Sequence, residues 1–119
     1  QSEKAIEELE RAMLLNPRYP DLYDAHYGRA LFNLRRYDEA IHHLERIRTS
    51  QPGHANAIAL AAACYAALGR MEDASASVDE VRKASPNYTL KHARKFIPFA
   101  MKKEQEHFID NLALAGLEN

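Results

Sequence analysis

An all-α fold, built as an array of helical hairpins, is the expectation from this sequence, on three grounds. Pro17, Pro52 and Pro86 recur at a spacing of 35 and then 34 residues. Ala5, Ala40 and Ala74 each stand twelve residues before one of these prolines, and Leu9, Leu44 and Val78 eight before. Apolar residues between the prolines follow helical periodicity on paired segments, separated by Arg35–Arg36 in one case and by Gly69 in the other. A period of this length marks a stacked helical repeat. Each hairpin in such an array buries its apolar face against its neighbours, so the assembly offers a surface and carries no chemistry by virtue of its fold.

The elements follow in order. Residues 3–15 form the first helix, with Ala5, Leu9, Ala12 and Met13 along one face and Glu3, Glu7, Glu8 and Glu10 on the others. Pro17 and Pro20 end it, and Asp21 is placed to cap a second helix over 21–34. A third spans 37–49, broken between Thr49 and Gly53. A fourth, 55–68, carries eight alanines and Cys64, so several neighbours can press against it and it should be the most buried. Gly69 suits the left-handed residue at its end, and a fifth helix follows over 71–84. Beyond Pro86 the pattern decays into a short helix over 89–97, an interruption at Pro98, and a last helix over 102–115 that stops at Gly116. Phe108, Leu112 and Ala115 give that last helix an apolar stripe, with Ile109 beside it.

The units 21–54 and 55–88, with the half unit 1–20 before them, resemble tetratricopeptide repeats. Gly28, Ala40 and Pro52 match the family in one unit; Ala62, Tyr65, Gly69, Ala74 and Pro86 match it in the next. The chain departs from the pattern at Asp24, where the family places a large apolar residue, and at Ile47, where a small one is usual. Tyr23 or Tyr27 can supply the volume that Asp24 lacks. The resemblance implies a tetratricopeptide-type helical hairpin solenoid as one domain, with residues 89–119 as C-terminal capping helices. The stretch from Pro86-Asn87-Tyr88 through Arg94–Pro98 to Asn111–Leu117 is also similar to the closing part of bacterial proteins in which an adenylate or guanylate cyclase domain precedes such repeats.

The same resemblance implies a function. In this family the first helices of successive units line a concave groove that receives a peptide. Here that groove would be lined by His26, Arg29, Phe32 and Asn33 from one unit and Asn56, Ala59, Leu60 and Ala63 from the next. Chaperone-binding members hold a C-terminal carboxylate with lysine, arginine and asparagine. At the corresponding places this chain has Ala25, Arg29, Leu60 and Arg94, so that clamp does not carry over. The expected function is a protein-interaction module of a larger bacterial protein, scaffold or regulator, binding a protein or peptide partner. The alternatives are an oligomerisation or regulatory tail of a nucleotide cyclase, and weak nucleic-acid binding through 91–103.

Composition bounds these readings. A net charge of −1 and a pI near 6.7 give no global reason to expect nucleic acid or an anionic membrane. The single cysteine, Cys64, among alanines, reads as a small buried residue of a reducing compartment, and no apolar run is long enough to span a bilayer. A cytoplasmic location is the expectation. The six histidines show no pair four apart on a helix, and His42 and His43 are adjacent, so no metal site or cofactor is expected. No phosphate loop or nucleophile motif is present, and the chain is not expected to be an enzyme. Lys91, Arg94, Lys95, Lys102 and Lys103 form a basic run without an acid between them. The chain opens at Gln1 directly into a helix that looks like the second of a hairpin. It is therefore expected to be part of something longer, and its Leu9 and Met13 face is a candidate for self-association in a homodimer.

Overall fold

The computed structural model describes residues 2–15, 20–97, 99 and 101–119. Seven helices run through them: α1 (Ser2–Leu15), α2 (Pro20–Asn33), α3 (Tyr37–Ser50), α4 (Ala55–Ala67), α5 (Met71–Ala84), α6 (Leu90–Phe96) and α7 (Lys102–Ala115). There is no strand among the described residues, and none of these helices is long and apolar enough to cross a membrane. One start differs from expectation. Pro20 is the first residue of α2, which places Asp21 inside the first turn instead of at the cap. Proline is suited to that position, since its fixed φ is already helical and the amide proton it lacks would have no partner there.

Two chemical devices end the helices. At α3, α5 and α6 the residue before a proline leaves the helical region, because the proline ring excludes it from helical ψ. Gln51, Ser85 and Ile97 all do so, and each returns its N–H to the carbonyl four residues back, on Ile47, Val81 and Ala93. At α2, α4 and α7 the chain instead turns through a left-handed residue. Arg35 donates to Phe32 O and Arg36 to Leu31 O, both at 2.9 Å. Gly69 and Arg70 repeat this on Ala66 and Tyr65, and Gly116 and Leu117 on Ala113 and Leu112. These paired bonds satisfy carbonyls that would otherwise be orphaned. Gly69 and Gly116 take positive φ at no steric cost; Arg35, at φ 64°, does the same with a side chain in the way.

The hairpins close by near contact. A Cβ built on Gly28 would lie 2.8 Å from Leu44 Cδ2 and 2.9 Å from its Cγ, so α2 and α3 are as close as their side chains allow. Ala40 and Ala74 are fully buried at the matching place in successive outer helices. Ile47, larger than the family norm, is nevertheless fully buried. Tyr27 is buried and donates to Glu10 Oε2 of α1 at 2.9 Å; burial, and then this carboxylate, push its phenol up to about 12. The side chains of Tyr23 and Asp24 lie outside the described residues.

In α4 every residue from Ala57 to Ala66 is buried, as expected of the alanine-rich helix. It is enclosed by α3, α5 and α7 and touches α2. On the outer side Arg48 of α3 spans to α5, with Nε donating to Glu80 Oε2 at 2.8 Å and Nη2 also on that carboxylate. Arg48 further holds Glu45, whose Oε2 accepts from Tyr65 Oη of α4 at 2.6 Å. Three helices are thus tied by one half-exposed cluster.

Two substitutions probe these contacts. Gly28→Ala should lower stability by about 1–3 kcal/mol in urea unfolding despite alanine's better helix propensity, because Leu44 has nowhere to go. The same change in a Leu44→Ala background should cost little or stabilise. Arg35→Gly should raise stability by about 1 kcal/mol by relieving the left-handed backbone, whereas Arg35→Ala, which removes the charge and keeps the strain, should not.

Candidate functional site

The inner helices of the hairpins, α2 and α4, present a face built of small and apolar residues, and α7 lies on it. Sequence explains why α7 can lie there. Its stripe of Phe108, Leu112 and Ala115, with Ile109 alongside, is buried from end to end, while Lys102, Lys103, Asp110, Ala113 and Leu114 remain exposed. Instead of stacking on α5 as the next step of the solenoid, α7 packs chiefly on α4. The alanines of α4 leave room for it.

An aromatic cluster fixes one end. Phe108 meets Phe32 of α2 edge-on, with centroids 6.0 Å apart at 90°, and Phe99 lies 5.2 Å from Phe108. Phe32 also contacts the rings of Tyr37 at 5.5 Å and His107 at 5.1 Å. Tyr37 Oη, at the start of α3, and His107 Nε2 are hydrogen-bonded at 2.7 Å. Asn111 Nδ2 donates to His107 O at 2.9 Å, which sets the orientation of its amide, and the same nitrogen faces His107 Nε2 at 3.5 Å. The neutral ring accepts from Tyr37 Oη at Nε2 or donates to it, according to its tautomer. Burial, and then the nearby Arg35 guanidinium, hold its pKa below the ordinary histidine value, against the opposing pull of Asp110. Tyr37 is raised by burial, with Cys64 of α4 close enough to add to the effect and Arg35 opposing it. The other end of α7 is tied by Arg82 Nη2 donating to Gly116 O at 2.7 Å and Leu90 N donating to Glu118 O at 2.8 Å.

This arrangement decides where the residues expected to line a groove stand. Phe32, Ala59, Leu60 and Ala63 are buried at 0–4% exposure, inside the folded chain and not on an open surface. Phe32 is covered by Phe108 and His107 of α7, which the periodicity of the hairpins does not place. Asn56 is half-buried and its Oδ1 accepts from Tyr88 Oη at 2.8 Å; burial drives that phenol's pKa up. Arg29 is half-buried, and desolvation lowers the pKa of its guanidinium. Asn33, at the end of α2, keeps Oδ1 buried without a hydrogen-bond partner. An unpaired buried carbonyl costs about 1–3 kcal/mol. The side chain of His26 lies outside the described residues, as do those of Leu9 and Met13 on the expected self-association face of α1.

Lys91, Arg94, Lys95, Lys102 and Lys103 are all exposed, on α6 and the first turn of α7. Among the described residues no group of three or more His, Cys, Asp or Glu could hold a metal ion. Several histidines serve the fold instead. His54 Nδ1 caps α4 by accepting from Ala57 N at 3.1 Å, His43 stacks on Tyr27 at 4.3 Å, and His92 on Tyr88 at 4.4 Å. The Cys64 thiol is fully buried and its pKa is pushed far up by burial, which leaves it an inert packing group. Tyr37, Phe99, His107 and Arg82 carry no signal in the sequence that would mark them for these contacts. Tyr37 and His107 are seventy residues apart, and nothing in local pattern pairs them.

Comparison with known proteins sets these features in a wider group. The sequence model of the tetratricopeptide repeat matches residues 31–93. A Hsp70-Hsp90 organizing protein of Triticum aestivum is 28% identical over 107 residues, which make up 89% of this chain and 18% of that protein. The chain thus spans under a fifth of the length of that curated relative. Among solved structures, the fold is similar to MamA 41-end from Desulfovibrio magneticus RS-1, with a TM-score of 0.70 at 19% identity over 95% of this chain and 66% of that one. A MamA RS-1 double mutant gives the same TM-score at 20% identity, covering 95% and 65%. At such identities the likeness concerns the fold.

The lowered pKa of His107 has a consequence for stability. Because the folded state holds His107 below the ordinary value of 6.5, the unfolded chain takes up the proton first as pH falls. Its contribution is therefore fully present above about pH 6.5 and is lost progressively below it. Urea unfolding between pH 7.5 and 5 should show a fall in stability for the wild type that is shallower in His107→Gln.

Proposed function

Because the chain belongs to the tetratricopeptide repeat family, we propose that it is a protein-interaction module, the scaffold or regulatory part of a larger protein, which receives a segment of a partner on the face built by α2 and α4. One observation carries this reading: that face accommodates a helix, since α7 is seated on α4 and reaches α2 through Phe32 and Phe108. A surface of small residues in α4, bounded by Phe32 in α2, suits apolar anchors. No bond is made or broken in such a role. The name of the wheat relative speaks of organising two chaperones, but the carboxylate clamp of chaperone-binding repeats has no counterpart here. Leu60, at one of its places, is buried at 4% exposure, and a different partner chemistry is favoured.

The exposed cations of α6 and α7 favour a second reading, in which Lys91, Arg94, Lys95, Lys102 and Lys103 meet an acidic surface of a partner. Five charges give weak and steeply salt-dependent binding to nucleic acid, so an acidic protein surface suits them better.

Photo-cross-linking in the full-length protein tests the main reading. A photoreactive side chain in place of Arg29 should capture a partner polypeptide, and one in place of Ser75, exposed on the outer helix α5, should not. Capture from the Ser75 position alone would move the interaction to the outer layer. Capture from Lys95 that is abolished by raised salt would favour the basic surface.

A further inference from the structure

We infer that α7 is a resident ligand held in cis on the α2–α4 face, and that the partner of that face is an amphipathic helix which displaces it. The inference rests on the reading above and supplies its partner class and its regulation. Two observations bear on it. First, α7 stands outside the continuous chain of hairpin contacts. These run from α1 to α2, α2 to α3, α3 to α4 and α4 to α5, and none of them passes through α7. Its departure therefore leaves each hairpin closed. Second, the main packing contact of α7 is with α4, while its contacts with α5 and α6 are smaller and include its C-terminal end, where Arg82 and Leu90 bond to Gly116 O and Glu118 O. The backbone is extended at Ile97 and at Met101, on either side of the link between α6 and α7.

The resident defines what its competitor must carry. Phe108 fills the place against Phe32, Leu112 follows four residues later and Ala115 three after that, all buried. A competing helix therefore needs an aromatic residue, an aliphatic one a turn further on and a small one a turn beyond, as an apolar stripe on one side. Because leaving bares Phe32 and the part of α4 on which α7 packs, opening without a replacement is unfavourable and release is coupled to binding. The fraction of chains with α7 undocked then sets the apparent affinity for any partner helix.

The test uses the intact chain and a fluorescent synthetic peptide of residues 101–117, followed by anisotropy. Substitutions confined to the resident helix weaken the competitor and leave the face and the peptide intact. Phe108→Ala in the chain should tighten binding of the wild-type peptide at least tenfold over the wild-type chain, a difference of about 1.4 kcal/mol. Leu114→Ala, at a position 64% exposed, should bind as the wild type does. If Phe108→Ala loses its helical circular dichroism, His107→Ala takes its place, with severalfold tightening expected. A peptide carrying Phe108→Glu should not bind. Equal affinity for all folded chains, or no binding to any, would make α7 a fixed core helix and overturn the proposal. So would a doubling of mass in the wild-type chain without peptide, which would assign the face to a second copy's α7. Failure here leaves the interaction reading intact wherever the Arg29 cross-link still captures a partner.

Discussion

Side-chain volume is nearly absent along α4, and the packing of its neighbours follows from that. A helix of ordinary composition packs neighbours on one face; α4, with eight alanines, has little to hold them off on any side. Three helices close on it, and every residue from Ala57 to Ala66 loses its solvent. Each alanine contributes little by burial, since it removes little apolar area from water. The gain lies with the large residues brought into register around α4: Phe32, Leu44, Ile47, Val78, Phe108 and Leu112 are all buried because α4 lets them approach. The Gly28–Leu44 contact applies the same logic between α2 and α3, where removal of a single Cβ sets the distance.

Polar chemistry acts at the edges of this packing. Arg48, Glu45, Glu80 and Tyr65 tie three helices on the outer side, where the charged side chains are about a third exposed, ion pairs contribute modestly and orientation is the main return. The Tyr37–His107 bond lies in a more demanding place, between aromatic rings and close to Arg35. A charged imidazole there would meet a cation and a low dielectric, and a neutral one fits. The stability of the α7 contact is in this way linked to proton activity at one histidine, while His54 caps α4 and His43 and His92 lie against tyrosine rings.

These features bear on what kind of interaction surface the chain can offer. A solenoid is read as an open groove because its inner helices ordinarily face solvent. Here the inner face is covered by the chain's own last helix. The exposed surface near α7 is instead basic, from Lys91 to Lys103, and belongs to the covering element.

Helices and hairpins are legible along the chain itself. Pro52 and Pro86 force the preceding residue out of the helix, Gly69 and Gly116 accept the left-handed turn, and Gly28, Ala40 and Ala74 mark the close approaches. Each of these is a local or next-neighbour effect, fixed by the backbone preferences of one residue or by a contact within one repeat period. The start of α2 at Pro20 and the positive φ at Arg35 are less legible, since a proline can end a helix or open one and arginine carries no signature for a left-handed turn. The seat of α7 is settled by packing in three dimensions. Its stripe of Phe108, Leu112 and Ala115 states that one side must be buried, yet the same stripe could face α5, α6 or another chain. The choice of α4, and with it the contact of Phe32 with Phe108, follows from shape complementarity between segments far apart in the chain, which no periodicity along the chain records.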